Sequence, residues 1–186
     1  LGGPSGGMLL TREPELAERI ERIAYPGLTA NFDDGRIAAL AISLAGFSRY
    51  GADYVAAMLA NGQALATSLA VEGLPVVAAD RGFTATHHIA LEAQRFGGGD
   101  HAARTLAQSV IHSSGIGLPG AEVPGDYNGL RFGTQEVTRW GMGPDEMRVI
   151  AGLVADALLA RRPAQVIAAE ARALKAEYQR LRFVLP

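Results

Sequence analysis

The sequence predicts a mixed α/β domain in which helices cover one face of a small sheet. Three observations predict it. Segments of 3.6-residue apolar periodicity alternate with short apolar runs, in the order helix, strand, strand, helix, strand, strand, helix. Glycines, 23 in all, cluster at 2–7, 97–99, 115–120 and 141–143, between the periodic segments. Hydrophobic residues make up 48% and charged residues 19% of 186 residues, enough apolar matter for one substantial core.

The elements follow in order. Met8-Leu9-Leu10 reads as a short apolar strand fed by the Gly-rich 2–7 stretch. Thr11 caps a helix with Leu16, Ile20 and Ile23 on one face, closed by Pro26-Gly27. Residues 36–47 are apolar all round, which predicts a helix buried on every side. A further helix at about 51–71 carries a one-sided stripe of Val55, Met58, Gly62, Leu65 and Leu69. Val76-Val77-Ala78 and His88-Ile89-Ala90-Leu91 read as strands separated by a turn at Asp80-Arg81-Gly82. Gly97-Gly98-Gly99 turns into a helix at about 100–113, followed by strands at 115–118 and 129–133. Gly143-Pro144-Asp145-Glu146 starts a helix that buries Met147, Ile150, Val154 and Leu158. The last helix runs from Pro163 with Ile167, Ala171, Leu174, Tyr178 and Leu181 inward.

Several function classes drop out on composition. A net charge of −2 with both signs interspersed gives no footprint for nucleic acid or an anionic membrane. Without cysteine there are no disulfides and no thiolate metal sites. No uninterrupted run approaches the roughly 20 apolar residues of a membrane span, so a soluble cytoplasmic protein is expected. No phosphate-binding Walker loop is present. Thr86-His87-His88 with Glu92 invites a metal reading. On a strand, however, the two histidines point to opposite faces, and no metal is expected. His101 and His112, eleven residues apart, read as a partly exposed pair on one helix face.

The chemistry concentrates in Gly129-Leu130-Arg131-Phe132-Gly133-Thr134-Gln135-Glu136-Val137-Thr138-Arg139-Trp140. It places two arginines around a Gly-Thr turn at the end of a short strand. A guanidinium on rigid backbone presents a planar fork of donors, which matches a carboxylate in two-point fashion. Small acids, amino acids among them, can be held that way. The chain also opens inside a glycine-rich turn with a strand that has no neighbour. It therefore reads as the C-terminal portion of a longer polypeptide.

Three blocks, in order, resemble the serine hydroxymethyltransferase family of fold-type I enzymes dependent on pyridoxal phosphate. Leu1 to Thr11 is similar to the segment after the Schiff-base lysine. Tyr25-Pro26-Gly27 with Ile37-Ala38-Ala39-Leu40-Ala41 is similar to the Phe-Pro-Gly turn and its Ile-Ala-Ala helix. Gly129-Leu130-Arg131-x-Gly133-Thr134 with Thr138-Arg139 is similar to the Gly-Leu-Arg-x-Gly-Thr signature.

The resemblance implies that residues 1–47 end the large cofactor-binding domain and 48–186 form the small C-terminal domain. It implies pyridoxal 5'-phosphate as cofactor, with its catalytic lysine just before Leu1 and no catalytic residue in this chain. Arg131 then binds the substrate carboxylate, with His88, Thr134 and Arg139 supporting it. Gly2, Gly3, Thr29 and Asn31 face the cofactor, the last two through the phosphate of a neighbouring subunit in a homodimer or homotetramer. The implied activity makes or breaks the Cα–Cβ bond of β-hydroxy amino acids such as serine.

The departures carry information too. Thr29-Ala30-Asn31 stands where Gln-Gly-Gly is usual, and Ser5 where arginine is common. The 117–128 loop lacks an Asn-Lys-Asn stretch, and Gln135-Glu136 replaces Pro-Ala. These changes call tetrahydrofolate use into question. They keep open a folate-independent aldolase, a transaldolase or an α-methylserine hydroxymethyltransferase. A non-catalytic C-terminal interaction domain is the alternative from another class.

Overall fold

A computed structural model describes residues 3–31 and 33–185. Their contacts form two units, one of residues up to Arg49 together with Leu185, the other of Tyr50–Val184.

In the first unit, Thr11 Oγ1 accepts a hydrogen bond from Glu13 N at 3.1 Å, and Pro14 opens helix α1, Pro14–Arg22. Proline suits the first helical position, where no amide partner is needed. An irregular turn, Ile23–Leu28, leads towards Asp33, whose carboxylate caps helix α2, Asp34–Val71, through Arg36 N at 3.1 Å.

Four expectations are corrected here. Met8, Leu9 and Leu10 form no strand and are exposed, because a three-residue apolar run has no partner edge among the described residues. Residues 36–47 and 51–71 are one continuous helix of 38 residues. No proline lies between them, and glycine inside a helix costs only about 1 kcal/mol. The 36–47 stretch is not enclosed either: Ile37 is 56% and Ile42 65% exposed. By length and composition alone α2 is apolar enough to cross a membrane, with a mean hydropathy of 1.2 over its most apolar window. That corrects the reading of uninterrupted runs, which passed over it. Its later turns are a core helix of the second unit, burying Tyr54, Asn61, Leu65, Ala66 and Leu69.

The second unit is built on an antiparallel sheet of strands β1 (His88–Glu92), β2 (Ser114–Ile116) and β3 (Gly129–Gly133), in the order β1-β3-β2. Alternation decides the faces. Ile89, Leu91, Leu130 and Phe132 enter the core with Leu65, Leu69, Met147 and Val154, while His88 and Arg131 are left exposed. The expected strand at 76–78 shrinks to one bridge, Val76 to Leu91, because Ala78 turns left-handed at φ 60°. Helix α3 (Gly99–Gln108) ends earlier than expected, so His112 lies beyond it and shares no helix face with His101.

A short helix the periodicity missed, α4 (Gln135–Arg139), follows β3 directly. Helix α5 (Pro144–Leu158) starts where Gly-Pro-Asp-Glu predicts, with Glu146 accepting from Gly143 N at 2.6 Å. Helix α6 (Ala164–Ala176) buries Ile167 and stops short of Leu181, which is 50% exposed. The Tyr178 hydroxyl bonds Glu146. That bond depresses the Glu146 pKa, and it is the largest factor raising the Tyr178 phenol to about 12.

Candidate active site

Arg131 is the middle residue of the central strand. Its cross-strand neighbours are Ala90 on β1 and Ser114 on β2, both small, so the guanidinium has room on the open face of the sheet. Among the described residues no carboxylate lies within ion-pair distance of it. A fixed cation with open space and no internal counter-ion is suited to an anionic ligand.

His88 shares that face, opposite Gly133. Burial first, then the neighbouring His87 and Arg131, hold its pKa below the ordinary 6.5, so it is neutral at pH 7. The two histidine rings do not point apart as a regular strand requires. Their centroids lie 3.9 Å apart, because His87 precedes β1 in a bend. The described residues contain no group of three His, Asp or Glu side chains that could hold a metal.

The depressed pKa gives a signed expectation. The unfolded chain takes up a proton at 6.5 before the folded one does. His88 therefore contributes its full stability above pH 6.5, and that contribution is lost as pH falls through the lower folded value. A His88→Gln variant should show a flatter loss of thermal stability between pH 7 and 5 than the parent. Equal slopes would contradict the assignment.

Thr134 and Arg139 hold the frame. Thr134 is fully buried, and its hydroxyl donates to Met58 O at 2.9 Å across to α2. Next to it, Asn61 donates to Thr138 Oγ1 and to Met142 O, both at 2.9 Å, and Thr138 Oγ1 donates to Thr134 O at 2.6 Å. This buried network pins the β3–α4 turn to α2. Arg139 donates to Phe183 O at 3.1 Å and stacks over the Tyr54 ring at 4.7 Å. Tyr54 in turn donates its hydroxyl to Gln135 O at 3.0 Å. Arg139 is thus linked to the β3–α4 turn through Tyr54.

Sequence reasoning gave no role to Tyr54, Asn61 or Asn128. Asn128 is 6% exposed and closes the 117–128 loop, donating to Leu118 O at 2.8 Å and to Ala121 O at 3.1 Å, and accepting from Leu118 N at 2.7 Å. An asparagine at the end of a glycine-rich loop was the available signal. An apolar hollow of about 670 Å³ borders the end of β3, lined by Phe132, Gly133, Val137, Trp140, Met147 and Lys175 among others, and includes neither Arg131 nor His88.

In the first unit, a side chain at Gly3 would meet Ser43 Oγ at 2.8 Å, so the missing Cβ serves close packing on α2. Thr29 sends both its amide and its hydroxyl to Ala24 O, at 2.9 and 2.7 Å. Asn31 is exposed. Gly2 lies outside the described residues.

The sequence profile of serine hydroxymethyltransferase matches residues 1–154. The chain belongs to the serine hydroxymethyltransferase family. An α-methylserine aldolase from Variovorax paradoxus is 49% identical over the whole chain, and one from a Ralstonia species is 43% identical over 99% of it. A serine hydroxymethyltransferase from Methanopyrus kandleri is 39% identical over 97%. The chain spans 42% of the length of each of these relatives. The fold is shared with an L-threonine transaldolase from Pseudomonas fluorescens at a TM-score of 0.80 and 23% identity, over 94% of this chain and 40% of that one. The mixed α/β class expected from the sequence holds.

Family membership implies pyridoxal phosphate, and the residues present can be tested against it. The sequence has one lysine, Lys175, and it sits 3.6 Å from the centroid of the Trp140 ring with Nζ donating to Tyr178 O at 2.9 Å. It is committed to packing and is no cofactor carrier. These residues therefore fit the amino-acid side of a family site and do not supply the covalent anchor.

Proposed function

We propose that the whole protein is a pyridoxal-phosphate enzyme that breaks or forms the Cα–Cβ bond of β-hydroxy amino acids. Within that class we read it as an aldolase for α-methylserine-type substrates that works without folate. The observation that carries the reading is Arg131, a cation on the central strand with open space around it and, among the described residues, no carboxylate within ion-pair distance.

Arg131 binds the substrate carboxylate and so fixes the other substituents at Cα, which selects the bond that breaks. Neutral His88 leaves the carboxylate with one dominant cation and a single orientation. Thr134, with Arg139 acting through Tyr54, keeps the β3–α4 turn from shifting under that load. The cofactor, when bound, supplies the electron sink for the carbanion left at Cα.

The folate-independent branch is favoured by the higher identity to proteins named α-methylserine aldolase, and by the 117–128 loop with its Asn128 closure. For the phosphate contact, Asn31 remains the better candidate, since both donors of Thr29 are used within its own turn. We extend the reading to a cytoplasmic homodimer or homotetramer. The exposed Ile37, Ile42 and Leu44 support a covering surface from elsewhere.

The test is product formation by the full-length holoenzyme. Cleavage of α-methylserine should release formaldehyde and alanine with no tetrahydrofolate added. Formaldehyde transfer from serine that requires tetrahydrofolate, with α-methylserine inert, would return the protein to the central branch. Inactivity on both would overturn the reading.

A further inference from the structure

Gly133 ends β3, and by strand alternation a side chain there would project on the same face as that of Arg131, two residues earlier. A Cβ built on Gly133 would stand 2.2 Å from Gln135 Oε1, 3.1 Å from Cδ and 3.3 Å from Nε2. The Gln135 side chain therefore folds back and occupies the space that residue 133 leaves bare. Its carboxamide stands over Gly133, on the strand face that carries Arg131, and Gly133 pairs with His88 across the sheet. The Cα atoms of residues 131 and 133 are about 7 Å apart at ordinary strand rise, within the reach of a long side chain.

The base of this arm is fixed and its tip is uncommitted. Tyr54 holds the Gln135 carbonyl at 3.0 Å, and Tyr54 itself is clamped by Arg139 on its ring and by Phe183 at 5.4 Å. Gln135 is exposed, and among the described residues its carboxamide makes no hydrogen bond. An anchored amide next to an open guanidinium is a second donor for whatever anion the arginine takes. A carboxylate held by an arginine fork still has lone pairs to fill, and one amide N–H serves one of them without adding charge.

We propose that Gln135 is a substrate-binding residue, its carboxamide donating to the same carboxylate that Arg131 binds, with Gly133 as the gap that admits it. The proposal rests on the reading of Arg131 as the carboxylate site. It adds a neutral, pH-independent contact to that cation and makes affinity at the site depend on a residue four positions further along.

Calorimetric titration of the full-length holoenzyme with glycine and with methylamine, the same amine without the carboxylate, tests it. Gln135→Ala should weaken glycine about tenfold to thirtyfold, the lower part of the range for one hydrogen bond to a charged group, and leave methylamine unchanged. Gln135→Glu should weaken glycine further through carboxylate repulsion. Gly133→Ala, whose Cβ displaces the carboxamide, should reproduce Gln135→Ala. Unchanged glycine affinity in Gln135→Ala, with Arg131→Ala impaired, overturns the proposal and spares the arginine. Equal weakening of glycine and methylamine also overturns it, since that is a structural effect. If Arg131→Ala itself leaves glycine affinity unchanged, the carboxylate site lies elsewhere and the proposal falls with it.

Discussion

An Arg131→Ala holoenzyme is expected to retain its cofactor and to bind glycine about a hundredfold more weakly. The size follows from the chemistry of the pair. A two-point guanidinium–carboxylate contact is a charge-assisted hydrogen-bond pair, and removing one partner costs about 3 kcal/mol, or roughly two powers of ten in affinity. Arg131→Lys keeps the charge and loses the fork, so it should fall between the two, weaker than the parent by about tenfold. Arg131 is exposed and flanked by Ala90 and Ser114, so neither variant opens a cavity and both should fold normally. Retained cofactor absorbance together with a lost glycine response would be the signature. An Arg131→Ala protein with parental glycine affinity would remove the basis of the functional reading.

The largest expected loss of stability is at Gly99. A Cβ there would fall 2.0 Å from Gly129 O and 2.9 Å from Gly115 Cα, both of them backbone atoms of the sheet or its edge. Its own amide donates to Tyr127 O at 2.7 Å, so the start of α3 cannot back away without losing that bond. Gly99→Ala should destabilise the protein by about 3 kcal/mol or more, the upper range for overpacking, because no flexible side chain can yield. Gly97 provides the contrast. Its φ of 80° disfavours alanine by about 1 kcal/mol, but the nearest atom to a new Cβ is the ring of His101 at 3.4 Å. Thermal midpoints of the two variants should therefore separate clearly, Gly99→Ala lower. A Gly99→Ala protein as stable as Gly97→Ala would mean that α3 and β3 do not approach as closely as described. Displacing Gly129 would also move the strand that carries Arg131, so activity should fall together with stability.

Some elements were legible from local chemistry alone. Strand β3 runs Gly129–Gly133 as expected, because apolar residues at 130 and 132 alternate with a polar 131 between bounding glycines. Helix α5 begins at Pro144 because Gly-Pro-Asp-Glu supplies both a rigid first residue and a capping carboxylate. Where the reading failed, the deciding contact was distant or absent. The Met8–Leu10 run has strand-like residues and no edge to pair with. The break expected near residue 50 rested on a change of apolar pattern, which does not end a helix by itself. Helix α4 is too short to show a period, and the end of α6 at Ala176 is unmarked by glycine or proline.

The candidate site divides the same way. Arg131 could be read because its strand, its turn and the block around it are contiguous. Arg139 was read from the block around it, but its contact with Tyr54 could not be, since Tyr54 lies on α2, 85 positions earlier. Gln135 was visible only as a departure from the family pattern, and its place beside Arg131 depends on the empty space over Gly133. The sequence by itself determined the family, the class of fold and the arginine at its centre, because each is written in short runs of adjacent residues. Which side chains share the arginine's face was decided by strand register and by helix α2 packing behind the turn. Those contacts join residues that are far apart in the chain, and no local pattern records them.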